Sequence, residues 1–208
     1  MPDQVQPEHP LSYWLSPELA KVSPPNAPSR LRELADTQGT LAAAWSSAIG
    51  AGPVAALTGF FLTALTGNTA WAVALVLVGA ALTGVGMVMW RRVRRTLPAT
   101  NRLLISRGPG SARGGIVMVA GLAVILGAAM GVTTPTAVAS GTLAAVVGSY
   151  LLIISLLVAW IIVPSAVQGR ARESFRRRVD TDAGLRESVE RDLATWRAPY
   201  GNSSYGPL

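Results

Sequence analysis

The amino-acid sequence predicts an all-α protein of the polytopic membrane class: four transmembrane helices as two hairpins, both termini inside, and a cytoplasmic carboxyl-terminal amphipathic helix. Three observations predict it: two long uncharged runs, an arginine block between them, and polar regions at both ends. Thr37 to Trp90 gives 54 residues, and Gly114 to Gly169 gives 56, without Asp, Glu, Lys, Arg or His. A helix of 54 residues would be roughly 80 Å long, over twice the ~30 Å hydrocarbon thickness of a bilayer. Each run is therefore expected to cross twice.

Charge is scarce and blockwise. Charged residues make up 14% of the chain, against about 25% in an average soluble domain. Residues 1–40 hold three basic and five acidic groups, residues 91–113 seven arginines and no acid, and residues 170–208 eight basic and six acidic groups. Positive charge beside span ends is retained on the cytoplasmic side. The arginine loop and the cluster at Arg170 to Arg178 thus both point inward, while the turns after the first and third spans carry no charge. The composition, rich in Ala, Gly, Val and Arg, suggests a bacterial chain and a cell inner membrane.

In chain order, residues 1–40 form an inside segment of short amphipathic helices, broken by Pro10, Pro17, Pro24, Pro25 and Pro28. They lack the basic, apolar and small-residue sequence of a secretory signal. Leu11, Trp14 and Leu15 give one apolar face, and Ser29 can cap a helix carrying Leu31, Leu34 and Leu41. This segment is expected to lie on the membrane surface.

Residues 41–90 form the first transmembrane hairpin. Its first span opens near Trp45 to Ala51, with Pro53 in its opening turns. The turn falls at Gly67, Asn68 and Thr69, and the second span runs from Ala70 to Trp90. Residues 91–114 are the arginine-rich inner loop and residues 115–165 the second hairpin. There the third span runs from Gly115 to Thr133 with Pro135 in the turn beyond it. The fourth runs from Ala137 to Val163, with a kink at Pro164. Trp45, Trp71, Trp90 and Trp160 fall at span ends as interface anchors.

Residues 166–198 turn basic and then amphipathic. Asp180, Thr181 or Asp182 can cap a helix whose Leu185, Val189, Leu193 and Trp196 form an apolar stripe. Arg186 with Glu190, and Glu187 with Arg191, pair at i,i+4 on its other face. The stripe must be buried on lipid, on the protein or on a partner. Residues 199–208, PYGNSSYGPL, are expected to be a disordered tail.

Ion-coupled carriers, proton relays and voltage sensors need ionisable groups at membrane depth, and the uncharged runs have none. The spans instead carry small residues four apart: Ala55 and Gly59 in the first, Ala80 and Gly84 in the second, Ala123, Gly127 and Gly131 in the third. Gly141, Ala145 and Ser149 continue the pattern in the fourth. Such rows let helices approach closely, within one chain or between chains. No cysteine is present, and His9 beside Glu8 lacks the helical spacing of a zinc motif. No metal, cofactor or catalytic residue is expected. An enzyme would have to recruit carboxylates such as Glu173, Asp180 and Asp182.

The loop arginines Arg91, Arg92, Arg94, Arg95, Arg102, Arg107 and Arg113, with Arg176, Arg177 and Arg178, are candidate contacts for membrane lipids, anionic headgroups included, or for a partner. Nucleic acid is not expected, because no aromatic residues are interleaved for base stacking. The expected role is a non-catalytic accessory, scaffold or assembly subunit, packed with other membrane subunits or with copies of itself. A small oligomeric channel or uncoupled transporter lined by Gly, Ser and Thr is the alternative.

Overall fold

A computed structural model describes residues 9–22, 29–98, 109–196 and 205–208. Among these, every regular element is a helix: α1 Leu11–Trp14, α2 Pro17–Val22, α3 Arg30–Thr66, α4 Ala70–Arg95 and α5 Ala112–Ala139. After these come α6 Leu143–Leu157, a π-helical turn Val158–Ile162, α7 Val163–Gly169, α8 Ala171–Thr181 and α9 Ala183–Thr195. Four helical stretches are long and apolar enough to cross a membrane: α3, α4, α5, and Leu143–Gly169. The chain divides into two compact units. One comprises Met1–Thr40, Val93–Ile105 and Arg170–Leu208; the other comprises Leu41–Arg92 and Ser106–Gly169.

The apolar unit is built on glycines at helix crossings. A Cβ on Gly52 would lie 2.4 Å from the Gly79 carbonyl oxygen, and one on Gly79 would meet the Gly52 carbonyl at 2.4 Å. Only glycine on both sides lets α3 and α4 touch backbone to backbone there. Gly59 abuts Trp71, Ala72 and Leu75, and Gly86 abuts Ile49. On α5 and α6, the Tyr150 hydroxyl donates to the Ala123 carbonyl at 3.0 Å beside Gly127. This satisfies a polar group that apolar surroundings would otherwise penalise. Large apolar side chains face outward, among them Val73, Leu77, Val117, Val124 and Ile125.

Two prolines fall differently from expectation. Helix α3 is one 37-residue helix, so Pro53 lies deep inside it and not in its opening turns. The helix expected from Ser29 and the first span are continuous. Pro135 likewise lies within α5, which runs on to Ala139; the turn is Ser140, Gly141 and Thr142. Gly141 takes φ +70°, Thr142 N–H donates to the Ala137 carbonyl and Gly141 N–H to the Val138 carbonyl, a Schellman ending that only a left-handed residue completes cheaply. The chain therefore stops at the glycine and passes through the proline. Near Pro164 the helix widens into the π turn, where Val163 N–H reaches back five residues to Val158. Ser165 Oγ donates to the Ile161 carbonyl at 2.5 Å.

The polar unit has a core of its own. Leu11, Leu15, Leu31, Leu34 and Ala35 pack with Phe175, Val179, Leu185, Val189, Leu193 and Leu208, and Trp14, Leu97 and Tyr205 lie against them. The apolar faces of the amino-terminal helices are thus covered by protein, not spread on a membrane surface, and the stripe of α9 is covered by the same core. Leu208 is 2% exposed and its N–H donates to the Trp14 carbonyl, so the end of the segment expected to be disordered is packed. Residues 199–204 lie outside the described residues.

Candidate functional site

A polar cleft lies in the polar unit, and α8 builds most of it. Ala171, Phe175 and Val179, four residues apart, are buried in the core. Arg170, Glu173, Ser174, Arg177 and Arg178, at spacings of three, one, three and one, occupy another face of the helix and its N-cap. With Arg94 from the last turn of α4 they line a cleft of about 440 Å³. Among these described lining residues are four guanidinium groups and one carboxylate.

A hydrogen-bonded frame fixes this wall. Gln38, 1% exposed, donates through Nε2 to the carbonyls of Val93 at 2.8 Å and Thr96 at 2.9 Å, acceptors left open by the end of α4. Its Oε1 accepts from Arg178 Nη2 at 2.9 Å. Arg178 also donates to the Arg94 carbonyl through Nη1 and to the Ser174 carbonyl through Nε. A cation at these carbonyls suits the negative end of the α4 dipole. Arg94 Nη2 donates to Ser174 Oγ at 3.0 Å. Burial, with the like charge of Arg94, pushes Arg178 down to about 10.

Glu173 pairs with Arg177 across one turn of α8. Arg170 is exposed and, among the described residues, has no ion-pair partner. Two bidentate pairs join distant segments nearby. Arg30 donates to Asp192 at 2.9 and 3.1 Å, with its guanidinium 5.6 Å from the Trp196 ring, and Arg172 donates to Asp36 at 2.7 and 2.8 Å. The Asp36 carboxylate raises Arg172 above its ordinary value.

Of the sequence-selected arginines, the structure brings Arg94, Arg177 and Arg178 together. Arg95 is exposed on α4, and Arg176 turns away to donate to the Leu208 carbonyl. Arg91, Arg92 and Arg113 are exposed and belong to the apolar unit; Arg102 and Arg107 lie outside the described residues. Arg170, Ser174 and Gln38 were not among those selected. The helical period of RARESFRRR separates the two faces of α8 and could have found Arg170 and Ser174; no local signal points to Gln38.

The packing rows divide in the same way. Gly59 and Gly127 lie at contacts, whereas Gly84 and Gly131 have open space where a Cβ would stand, and Ala80 is exposed. On α4 the packed face is Gly79, Thr83 and Gly86, adjacent to the expected row, because Gly52 fixes where α3 crosses. Ala55, Ala123, Ala145 and Ser149 are half-buried, and Gly141 serves the turn. Trp71 and Trp160 are exposed, Trp45 and Trp90 half-buried. No known protein family, curated protein or solved structure matches the chain.

Proposed function

We propose that the chain is a non-catalytic accessory or assembly subunit of a bacterial inner-membrane complex. Its spans form two hairpins, with both termini and the amphipathic carboxyl-terminal helix cytoplasmic. The observation that carries this is the division of labour in the chain: apolar runs, Thr37 to Trp90 and Gly114 to Gly169, with no Asp, Glu, Lys, Arg or His, and a polar unit with a core of its own. Transport coupled to ions or protons requires charges at depth, whereas a membrane-held docking domain requires only anchorage and a polar surface. Outward apolar side chains on all four spans suit lipid or another membrane subunit.

Purification from native membranes in mild detergent, followed by native mass spectrometry, tests the proposal. A defined hetero- or homo-oligomer is expected. A strictly monomeric protein, or solute flux through reconstituted liposomes above empty vesicles, overturns it.

A further inference from the structure

We propose that the cleft formed by Arg94, Arg170, Ser174 and Arg177 binds a phosphate group. Three observations on its wall support this. Among the described residues, Arg170, Arg177 and Arg178 share the cleft with one carboxylate, so positive charge exceeds negative on its wall without counting Arg94. Its about 440 Å³ falls within the roughly 300–1,000 Å³ of small-ligand sites. The frame is also set before any ligand arrives: Gln38 and the α4 carbonyls hold Arg178, and Ser174 Oγ holds Arg94. Guanidinium forks match the tetrahedral oxygens of phosphate, which accept paired N–H bonds.

Arg177 would exchange Glu173 for the anion, and Arg170 would close the exposed side. Arg178 supplies charge from behind while its donors stay on the protein. The phosphate could belong to a lipid headgroup or to a soluble ion. The lipid source rests on the membrane-protein reading above: Arg94 lies four residues beyond Trp90, about 6 Å along α4, where headgroups begin. The phosphate chemistry stands on the cleft alone.

The test uses the full chain and the double variant Arg170→Gln, Arg177→Gln, with Arg91→Gln, Arg113→Gln as a control of equal charge change outside the cleft. Thermal unfolding in neutral detergent is followed against inorganic phosphate, with chloride at matched ionic strength. Lipid retention is read by native mass spectrometry from nanodiscs of phosphatidylcholine with and without phosphatidylglycerol. The cleft variant is expected to weaken binding roughly tenfold and the control to leave it unchanged. Stabilisation by phosphate without retained phosphatidylglycerol assigns a soluble ion, and selective retention of phosphatidylglycerol assigns a headgroup; either supports the site. No phosphate response with no selective retention, or equal losses in both variants, overturns it. A monomeric or flux-conducting protein that still binds phosphate would remove the subunit proposal and leave this one standing.

Discussion

Gln38 shows what single-residue reading can and cannot reach. It is the second residue of a 54-residue stretch of uncharged chain and looks like one polar residue near a span, yet its amide serves the carbonyls of Val93 and Thr96 and the guanidinium of Arg178. Those partners lie 55 to 140 positions away, so no local pattern announces them. Replacement by leucine fills the space but removes all three hydrogen bonds, each worth about 0.5–1.5 kcal/mol. Gln38→Leu should therefore lower the unfolding temperature in detergent by several degrees, and an unchanged midpoint would show that the frame is not rigid. The two bidentate ion pairs should respond unequally. Arg30 is 3% exposed, so Asp192→Asn leaves a buried cation with Glu33, 3.1 Å away, as its remaining carboxylate partner, whereas the Asp36–Arg172 pair is 46% and 37% exposed and screened by solvent. Asp192→Asn is expected to destabilise measurably and Asp36→Asn by less than about 1 kcal/mol, as read by parallel thermal melts.

For the elements, the spans were legible because charge is costly in hydrocarbon and its absence over more than fifty residues is rarely accidental. Their ends were less so. Pro135 and Pro53 carry strong breaking signals, but a long apolar helix tolerates a missing N–H when its neighbours continue the helix, and the stop is written instead at Gly141 by its positive φ. Rows of small residues were visible, yet the crossing selects which row is used, and α4 is entered at Gly79 rather than Ala80. Gly79→Leu should push α3 and α4 apart and destabilise the protein by several degrees. Gly84→Leu, with nothing within 4 Å of its new Cβ, should be tolerated by the isolated chain. A variant of Gly84 that keeps its thermal midpoint but changes oligomeric state would place another subunit on that face; equal destabilisation by both substitutions would contradict the assigned crossing.

On the scale of the whole molecule, the polar unit was the least legible part, since its core is assembled from three stretches far apart in sequence. Each amphipathic stripe could be read, but not what covers it, because burial depends on partners that periodicity does not name. Orientation, in contrast, is a whole-chain property that charge counting addresses directly. Arg91, Arg92, Arg94 and Arg95 at the end of α4, Arg113 at the start of α5, and Arg170 with Arg176 to Arg178 after α7 would all have to be translocated if the chain were inverted. The exposed turns at Thr69 and Ser140 carry no charge to resist crossing. The absence of cysteine allows single reporters to be placed without background. With a membrane-impermeant maleimide applied to intact cells, Thr69→Cys and Ser140→Cys should label, while Ser111→Cys should label only after the membrane is opened. Labelling of Ser111→Cys from outside, with the two turn positions protected, would invert every helix and remove the cytoplasmic assignment of the polar unit.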